Sequence, residues 1–254
     1  MNTKNIALLT LCLAGGFALY KFNAKKAEPA HANNDTIIVG TNAEFPPFTF
    51  INEDNEIVGF DIDIAKEVIK RMGKTIEIKD RSFDMLIPEA QNGSIQIIAA
   101  GMTATPERAQ QIIFTQPYLK GDPLVIITLK KNLISTISDL TNHEVIVNEG
   151  YTSDTYMSGQ PGVIIKRLPS PAESFLDLQT EKSFAYVSAF NAAKPFIDKI
   201  GQDQFNIFTI DGTNENTAMA ISKQYPELLP IIQPILDAME VDGTIALLKK
   251  KWGI

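Results

Sequence analysis

Thr36-Ile-Ile-Val-Gly40 begins the stretch of sequence from which the fold can be inferred. This run is short and almost wholly apolar, as expected for a strand buried on both faces of a parallel sheet. A helical pattern follows and ends near Gly73, a residue typical of a helix C-terminal cap. Strands at 75–79 and 95–100, with a short helix at 83–91 between them, complete a β-α-β-α-β series. Such alternation predicts a parallel sheet covered by helices, with a ligand crevice beyond the carboxyl ends of the strands.

A second series of strands begins after the break Gly121-Asp122-Pro123 and predicts a second lobe. Its strands are expected at 124–129, 144–148, 163–168, 184–187 and 205–210. A turn cluster follows, then one more strand at 217–222 and two helices, which we expect to pack back on the first lobe. The predicted organisation is therefore α/β with two lobes of mostly parallel sheet: residues 33–123 and 213–254 form lobe 1, and residues 124–212 form lobe 2. Because the chain crosses between the lobes twice, we expect a hinge.

The composition excludes several classes of function. The chain has 254 residues, a net charge of -7 and a pI near 5.0, so it lacks the basic character that nucleic-acid binding requires. Its one cysteine is Cys12, and its two histidines are His31 and His143. Zinc ligand sets and Cys/His nucleophile pairs cannot be assembled from these residues. We therefore expect no metal and no cofactor.

The N-terminus has the features of an export signal. Lys4 precedes an apolar run at 6–20, which matches a signal h-region and is shorter than a membrane span. Ala30-His31-Ala32 fits a small-x-small cleavage site, although it lies far beyond the apolar run. Residues 1–32 are thus a signal peptide or an N-terminal anchor, and both alternatives predict a periplasmic or other extracytoplasmic location.

From about residue 36 onward, blocks of sequence resemble the extracytoplasmic solute-binding proteins of ABC importers, family 3, of the polar amino-acid type. The blocks occur in the order and spacing of that family, and the Thr-Asn-Ala and Gly-Met-Thr blocks are most similar to arginine-binding proteins. They are Gly40-Thr-Asn-Ala-Glu-Phe-Pro-Pro-Phe48, Gly59-Phe-Asp-Ile-Asp-Ile-Ala65, Ser82-Phe-Asp-Met-Leu-Ile-Pro88, Ala99-Ala-Gly-Met-Thr-Ala-Thr-Pro-Glu-Arg108, Phe114-Thr-Gln-Pro-Tyr118, Asp242-Gly-Thr and Lys251-Trp-Gly253.

This resemblance implies a periplasmic-binding-protein-like fold of type II and a receptor that is not an enzyme. The receptor captures a polar amino acid, with arginine favoured, between two lobes that close on it. It then presents the closed form to a membrane permease. We expect the receptor to be a monomer.

Arg108 is the first candidate for ligand binding. Thr105 and Pro106 form a strong helix start, an N-cap followed by a proline at the first helical position, and this start directs Arg108 towards the crevice. A guanidinium can hold a carboxylate through two parallel hydrogen bonds. Gly101 and Thr103 can add a backbone amide and a hydroxyl to the same anion.

The resemblance assigns three further contacts. Thr152, at a helix start in the second lobe, corresponds to a residue that binds the ligand carboxylate, although the neighbouring Tyr151 departs from the usual small residue. Phe45 and Phe83 correspond to aromatic walls that sandwich the ligand side chain. Stacking of this kind contributes about 0.5 to 2 kcal/mol per contact. The alternative is that both phenylalanines are ordinary core residues.

Two positions depart from the family pattern. Asn42 stands where family members often carry an acid that binds a cationic side chain. Glu44 and Glu149 are candidates for the missing negative charge, and the alternative is that they belong to a solvated loop face. Ser188 stands where an acid normally pairs with the α-ammonium group of the ligand. A buried ammonium without a carboxylate is costly, so either another group holds it, with Glu149 as a candidate, or the ligand is not an ordinary α-amino acid.

An enzyme on the same fold, similar to cyclohexadienyl dehydratase, is the alternative function. It requires an acid or base in the crevice, for which Glu44 and Glu149 are the candidates. Serine-hydrolase elbows and phosphate-binding loops are absent from the sequence.

Overall fold

Strand β1, Thr36–Thr41, lies between two parallel neighbours in the sheet of the first lobe. The computed structural model describes residues 35–254. The predicted export segment, with Cys12 and His31, lies outside the described residues. The elements that follow β1 in the first lobe are β2 (Glu44–Phe45), β3 (Thr49–Ile51), β4 (Ile57–Val58), α1 (Phe60–Arg71), β5 (Thr75–Asp80), α2 (Phe83–Gln91), β6 (Ile97–Ile98), α3 (Pro106–Ala109), β7 (Ile113–Phe114) and β8 (Leu119–Asp122).

The rest of the chain forms a second set of strands and helices and then returns to the first lobe. Its elements are β9 (Leu124–Leu129), β10 (Glu144–Asn148), α4 (Thr152–Ser158), β11 (Ile164–Leu168), α5 (Pro171–Gln179), β12 (Ala185–Ala189), α6 (Phe190–Ile200), β13 (Phe205–Thr209), β14 (Glu215–Thr217), β15 (Ala220–Ile221), α7 (Leu229–Val241) and α8 (Thr244–Trp252). Short 3-10 turns occur at Ile137–Leu140, Gln202–Gln204 and Pro226–Leu228.

Each lobe contains a five-stranded sheet in which four strands run one way and one runs the other way. The first sheet has the order β5-β1-β6-β15-β7, with β15 antiparallel to both of its neighbours. The second has the order β11-β10-β12-β9-β13, with β9 antiparallel to both of its neighbours. The predicted α/β class and mostly parallel sheets are confirmed.

Two smaller sheets accompany the two five-stranded sheets. Strands β8 and β14 pair antiparallel and form a two-stranded ribbon at the two places where the chain passes between the sheets. Strands β2, β3 and β4 form an antiparallel hairpin sheet after β1. This arrangement brings the ends of several strands and the ribbon to one region, where the candidate site lies.

The second sheet is buried on both faces. Residues along β9 alternate between two apolar clusters, since Leu124 and Ile126 pack on one face while Val125 and Ile127 pack on the other. Full burial of an aliphatic side chain of this size contributes about 1.5 to 3 kcal/mol. The continuous apolar run in the sequence reflects this two-sided burial, because both alternating faces of the strand need apolar residues.

Helices α7 and α8 pack on the first lobe. Ile232, Met239 and Ile245 join Ile64 and Val68 of α1 in one apolar cluster. Two surface ion pairs complete the contact: Arg71 Nη1 lies 2.8 Å from Asp242 Oδ2, and Lys251 Nζ lies 2.7 Å from Asp63 Oδ2. The end of the chain thus covers the helix that begins the first lobe.

The predicted elements differ from the structure mainly where strands are short. The segment predicted as a strand at 95–100 pairs as a ladder only at Ile97–Ile98, although Gln96 N and Ala99 N still donate to carbonyls of β1. The single strand predicted at 217–222 is divided between β14 and β15. These two strands have different partners, because the chain leaves the ribbon and enters the first sheet within a few residues.

Candidate functional site

The candidate site is a cavity between the two lobes, close to the ribbon. It has a volume of about 20 Å3, enough for about one water molecule. Six of the residues predicted to bind a ligand line it: Phe45, Phe83, Gly101, Thr103, Arg108 and Thr152. The other lining residues are Phe48, Asp122, Tyr151, Ser153, Ala189, Glu215 and Thr217. The structure therefore brings most of the predicted residues together, and it adds three with chemistry that was not anticipated there, namely Asp122, Tyr151 and Glu215.

Arg108 bridges the two lobes. Its helix begins as predicted, because Thr105 Oγ1 accepts a hydrogen bond from Arg108 N at 3.3 Å and Pro106 follows the cap. The guanidinium donates from Nη1 to Thr103 O at 2.9 Å and from Nη2 to Gly150 O of the second lobe at 3.0 Å. Its central carbon lies 5.2 Å from the centre of the Phe83 ring. Burial lowers the pKa of Arg108, and the nearby Glu215 opposes this effect.

Gly101 has a backbone conformation that favours glycine, and its amide already has a partner. Its φ is +63°, and an added Cβ would lie 2.6 Å from the Phe45 ring. Gly101 N donates to Asp61 Oδ2 at 2.6 Å. Asp61 is fully buried, and this burial raises its pKa from 3.8 to about 7 despite the hydrogen bond from Gly101. The Gly101 amide, expected to bind the ligand carboxylate, is therefore engaged by Asp61, and the role of Gly101 in the cavity is to shape it.

Glu215 accepts hydrogen bonds from the two hydroxyls that were expected to bind a ligand carboxylate. Thr152 Oγ1 donates to Glu215 Oε2 at 2.7 Å, and the Thr103 hydroxyl donates to the same oxygen. Thr152 is the first residue of α4, as the sequence predicts. Hydroxyls from both lobes therefore converge on a carboxylate position beside the Arg108 cation.

Asp122 is the second acid of the cavity. It is 4% exposed, and Asn191 N donates to its Oδ1 at 3.1 Å. Burial raises the pKa of Asp122 from 3.8 to about 7, the hydrogen bond from the Asn191 amide opposes this rise, and repulsion from Glu215 adds to it. The cavity therefore combines a guanidinium with two closely spaced acids, an arrangement that suits a ligand carrying both a negative and a positive group.

Tyr151 lies between the two predicted aromatic walls. Its ring centroid is 5.1 Å from that of Phe45 and 4.5 Å from that of Phe83. Its hydroxyl donates to Asn42 Oδ1 at 3.2 Å, and Asn42 Nδ2 donates to Arg81 O at 3.1 Å. Burial raises the pKa of Tyr151 further above its usual value. Asn42 therefore lies behind Tyr151 and outside the residues that line the cavity.

Three other predicted residues lie away from the cavity. Glu44 and Glu149 are exposed on the surface, and neither lines it. Ser188 is 2% exposed within β12, and the next residue, Ala189, lines the cavity in its place. The acidic side chains that line the cavity are those of Asp122 and Glu215, in place of the predicted Glu44 and Glu149.

Asp122 and Glu215 were missed because they lie in segments that the sequence marks as breaks and turns. The sequence signal that could have identified these two acids was the double crossing of the chain between the lobes. Strands that join two lobes must run past the crevice between them, so their side chains are candidates for the site. Tyr151 was noted only as a departure from a small residue. The direction of the Tyr151 side chain depends on how the two lobes meet. Residues next to Tyr151 in the sequence do not determine this contact.

A second cavity adjoins the first and shares Arg108, Thr152 and Glu215 with it. Its volume is about 320 Å3, and Tyr156, Thr213 and Asn214 also line it. Within residues 35–254, no group of three or more His, Cys, Asp or Glu side chains is arranged to hold a metal ion. The helices in the same range are all too short or too polar to cross a membrane.

Comparisons with known proteins identify what the chain is similar to. The family model for bacterial extracellular solute-binding proteins, family 3, matches residues 37–254. ABC transporter arginine-binding protein 1 of Escherichia coli strain K12 is 30% identical over 246 residues, which cover 95% of this chain and 98% of that protein. These matches confirm the resemblance found in the sequence.

Solved structures agree with this family match. An ancestral arginine-binding protein bound to arginine has a TM-score of 0.81 at 34% identity, covering 86% of this chain and 98% of that chain. The ancestral amino acid-binding protein AncCDT-1, a precursor of cyclohexadienyl dehydratase, has a TM-score of 0.78 at 32% identity, covering 86% of this chain and 95% of that one.

Proposed function

Because the chain belongs to the bacterial extracellular solute-binding proteins of family 3, we propose that it is the extracytoplasmic receptor of an ABC importer and captures a polar amino acid. Its partners are the amino acid and a membrane permease, and it acts as a monomer. Residues 33–123 and 213–254 form the lobe that carries Arg108, and residues 124–212 form the lobe that closes over it.

The observation that carries this proposal is the position of Arg108 in the cavity between lobes, with hydroxyls of Thr103 and Thr152 nearby. A guanidinium suits a carboxylate because it can donate two parallel hydrogen bonds to it. Once the ligand carboxylate binds Arg108, the two hydroxyls that now donate to Glu215 can donate to the ligand. The lobes are thereby joined through the ligand.

Asp122 and Glu215 take the place of the missing acid at Ser188. Both line the same cavity as Arg108, and Asp122 is buried beside Glu215. Burial raises the pKa of Asp122 and repulsion from Glu215 adds to the rise, and an ammonium group between the two acids would offset this repulsion. The ligand is therefore an ordinary zwitterionic α-amino acid, with its carboxylate at Arg108 and its ammonium group at the two acids.

Closure occurs about the ribbon of β8 and β14. Hydrogen bonds join the lobes at Arg108 to Gly150 and Tyr151 to Asn42, and they join the second lobe to the ribbon at Thr152 to Glu215 and Asn191 to Asp122. A ligand that binds Arg108 and Thr152 together favours the closed state, because it contacts both lobes only when they are closed. The permease would then recognise this closed state.

Arginine is the first ligand to test, because the relatives are named for it. A thermal-shift screen of the twenty amino acids tests the proposal directly. A ligand at a hundredfold its dissociation constant stabilises the folded state by about 2.7 kcal/mol, which gives a clear rise in melting temperature. The same screen on Arg108→Ala is the control, and its shifts should be lost. If no amino acid raises the melting temperature of the native protein, the proposed function is wrong.

The protein binds its ligand without converting it. The alternative of a dehydratase is kept for testing because Asp122, with a pKa near 7, lies in the cavity where a general acid or base would be needed. Incubation of the protein with cyclohexadienyl substrates, followed by NMR detection of products, separates the two functions. We expect no product, and turnover that is lost in Asp122→Asn would establish the enzyme instead.

A further inference from the structure

Tyr151 belongs to one lobe by sequence and to the other by packing. It is the N-cap residue of α4 in the second lobe. Its side chain is 7% exposed and joins the apolar cluster of the first lobe, together with Phe45 and Phe48. We call the space between the rings of Phe45 and Phe83 the aromatic slot. In this structure the ring of Tyr151 fills the aromatic slot.

A long side chain cannot enter the aromatic slot while the ring of Tyr151 occupies it, because that ring contacts both Phe45 and Phe83. The space of about 20 Å3 beside Arg108 holds about one water molecule, so the lobes must part to admit any amino acid, and the Tyr151 ring is what separates long side chains from short ones. Asn42 Oδ1 accepts a hydrogen bond from the Tyr151 hydroxyl, so a side chain that displaces the ring also breaks this bond. A ligand with a short side chain leaves both arrangements intact.

We propose that Tyr151 competes with the ligand side chain for the aromatic slot and shifts the preference of the receptor from arginine towards amino acids with short side chains, such as serine. This proposal rests on the proposed function, since it concerns the same site. A long side chain must expel a buried ring from between two others and break its hydrogen bond, so arginine binds with a penalty that serine avoids. Aromatic side chains bury 150–250 Å2 as a rule, and re-exposing part of that area is unfavourable.

The test replaces Tyr151 by threonine and compares two ligands. Tyr151→Thr opens the slot, and threonine is a favoured helix N-cap, whereas Tyr151 makes no side-chain capping bond. Isothermal titration calorimetry then gives the affinities of arginine and serine for the native protein and the variant. We expect the ratio of arginine affinity to serine affinity to rise by about tenfold or more, in line with the value of steric discrimination in apolar pockets.

Tyr151→Phe is the matched control, because it keeps the ring and removes only the hydroxyl that donates to Asn42. Its affinity ratio should lie closer to that of the native protein than to that of Tyr151→Thr. Circular dichroism and a melting curve verify that each variant is folded. If Tyr151→Thr does not fold, Tyr151→Leu replaces it, because leucine keeps apolar contact with Phe45 and Phe83 while being too small to fill the slot.

An unchanged ratio in the opened variant would overturn the proposal. That result would mean that the arginine side chain avoids the slot and extends into the neighbouring cavity of about 320 Å3, which opens on the side of Tyr156. Failure of the proposed function gives a different result, in which none of the twenty amino acids binds to the native protein or to the variants. The two failures are therefore distinguishable.

Discussion

Asp122 and Glu215 stand directly opposite each other in the two-stranded ribbon, one on each crossing of the chain between the lobes. Both side chains line the cavity. Because burial and the neighbouring Glu215 raise the pKa of Asp122 to about 7, this acid is partly protonated at neutral pH. The ribbon that acts as the hinge in the proposed function thus also carries the negative charge of the site.

We expect amino-acid binding to release protons and to strengthen as the pH rises from about 6 to about 8. A bound ammonium favours ionised Asp122 and lowers its pKa, so between the two pKa values the free protein holds more protons than the complex. Calorimetry in two buffers of different ionisation enthalpy measures this release. Asp122→Asn should abolish the proton release. Equal proton release by the native protein and the variant would show that a group other than Asp122 releases the proton.

Glu215→Gln should weaken the binding of amino acids by about 2 kcal/mol or more, the usual cost of removing one partner of a buried charge pair. A deaminated analogue, which keeps the carboxylate and lacks the ammonium group, provides the matched control and should be affected little or should bind better. Tighter binding of the amino acid itself would show that Glu215 only competes with the ligand carboxylate for the hydroxyls of Thr103 and Thr152.

Arg108→Ala should cost about 3 to 5 kcal/mol of binding free energy, because it leaves a buried ligand carboxylate without its cation. Arg108→Lys should recover part of this loss, since a lysine keeps the charge but cannot donate in the bidentate geometry. Far-UV circular dichroism should remain native, because the side chain lies at the cavity and contributes little to the core. Unchanged affinity in calorimetry would remove Arg108 from the site.

Much of the fold could be predicted because its signals are local. Leu124–Leu129 is a strand over the predicted range, because a short continuous apolar run bounded by turn signals is typical of a buried strand. The insertion of β15 between β6 and β7 could not be predicted, because Ala220–Ile221 pairs with strands more than a hundred residues earlier. The residues near a strand in the sequence do not determine which distant strand it pairs with.

The candidate site divides in the same way. Arg108 was found because its helix start is encoded by its immediate neighbours Thr105 and Pro106. The side chains of Asp122 and Glu215 face the cavity because of the pairing register of two strands far apart in sequence. The position of Tyr151 depends on contact between lobes. Residues placed by their neighbours could be predicted, and residues placed by distant pairing could not.

Gly101→Ala should destabilise the protein by about 1 to 3 kcal/mol and also weaken ligand binding. The positive φ of Gly101 is strained for alanine, and the new Cβ would collide with the Phe45 ring at 2.6 Å. Gly73→Ala is a matched control, because Gly73 has a φ of +69° and no atom lies within 4 Å of its added Cβ. Urea unfolding should show a smaller loss for Gly73→Ala, and its ligand affinity should remain native.

Asp61 should make the protein less stable as the pH rises towards 7. Its pKa is raised from 3.8 to about 7 by burial, so the folded state binds this proton more tightly than the unfolded state does. The resulting stabilisation is complete below pH 4 and is lost as the pH rises through about 7. A shift of this size corresponds to a change on the order of 4 kcal/mol in the free energy of unfolding. The pKa of Asp122 is also raised, so its titration changes the free energy of unfolding in the same direction.

Asp61→Asn tests this dependence, since the amide oxygen can still accept the hydrogen bond from Gly101 N and no longer titrates. Urea unfolding between pH 5.5 and pH 8, a window that lies above the usual carboxylate range, should show a shallower decline for Asp61→Asn than for the native protein. At pH 8 the variant should be at least as stable, because it buries no charge. Asp54→Asn changes an exposed acid by the same chemistry and serves as the control. Parallel stability curves for Asp61→Asn and the native protein would show that Asp61 does not titrate in this range.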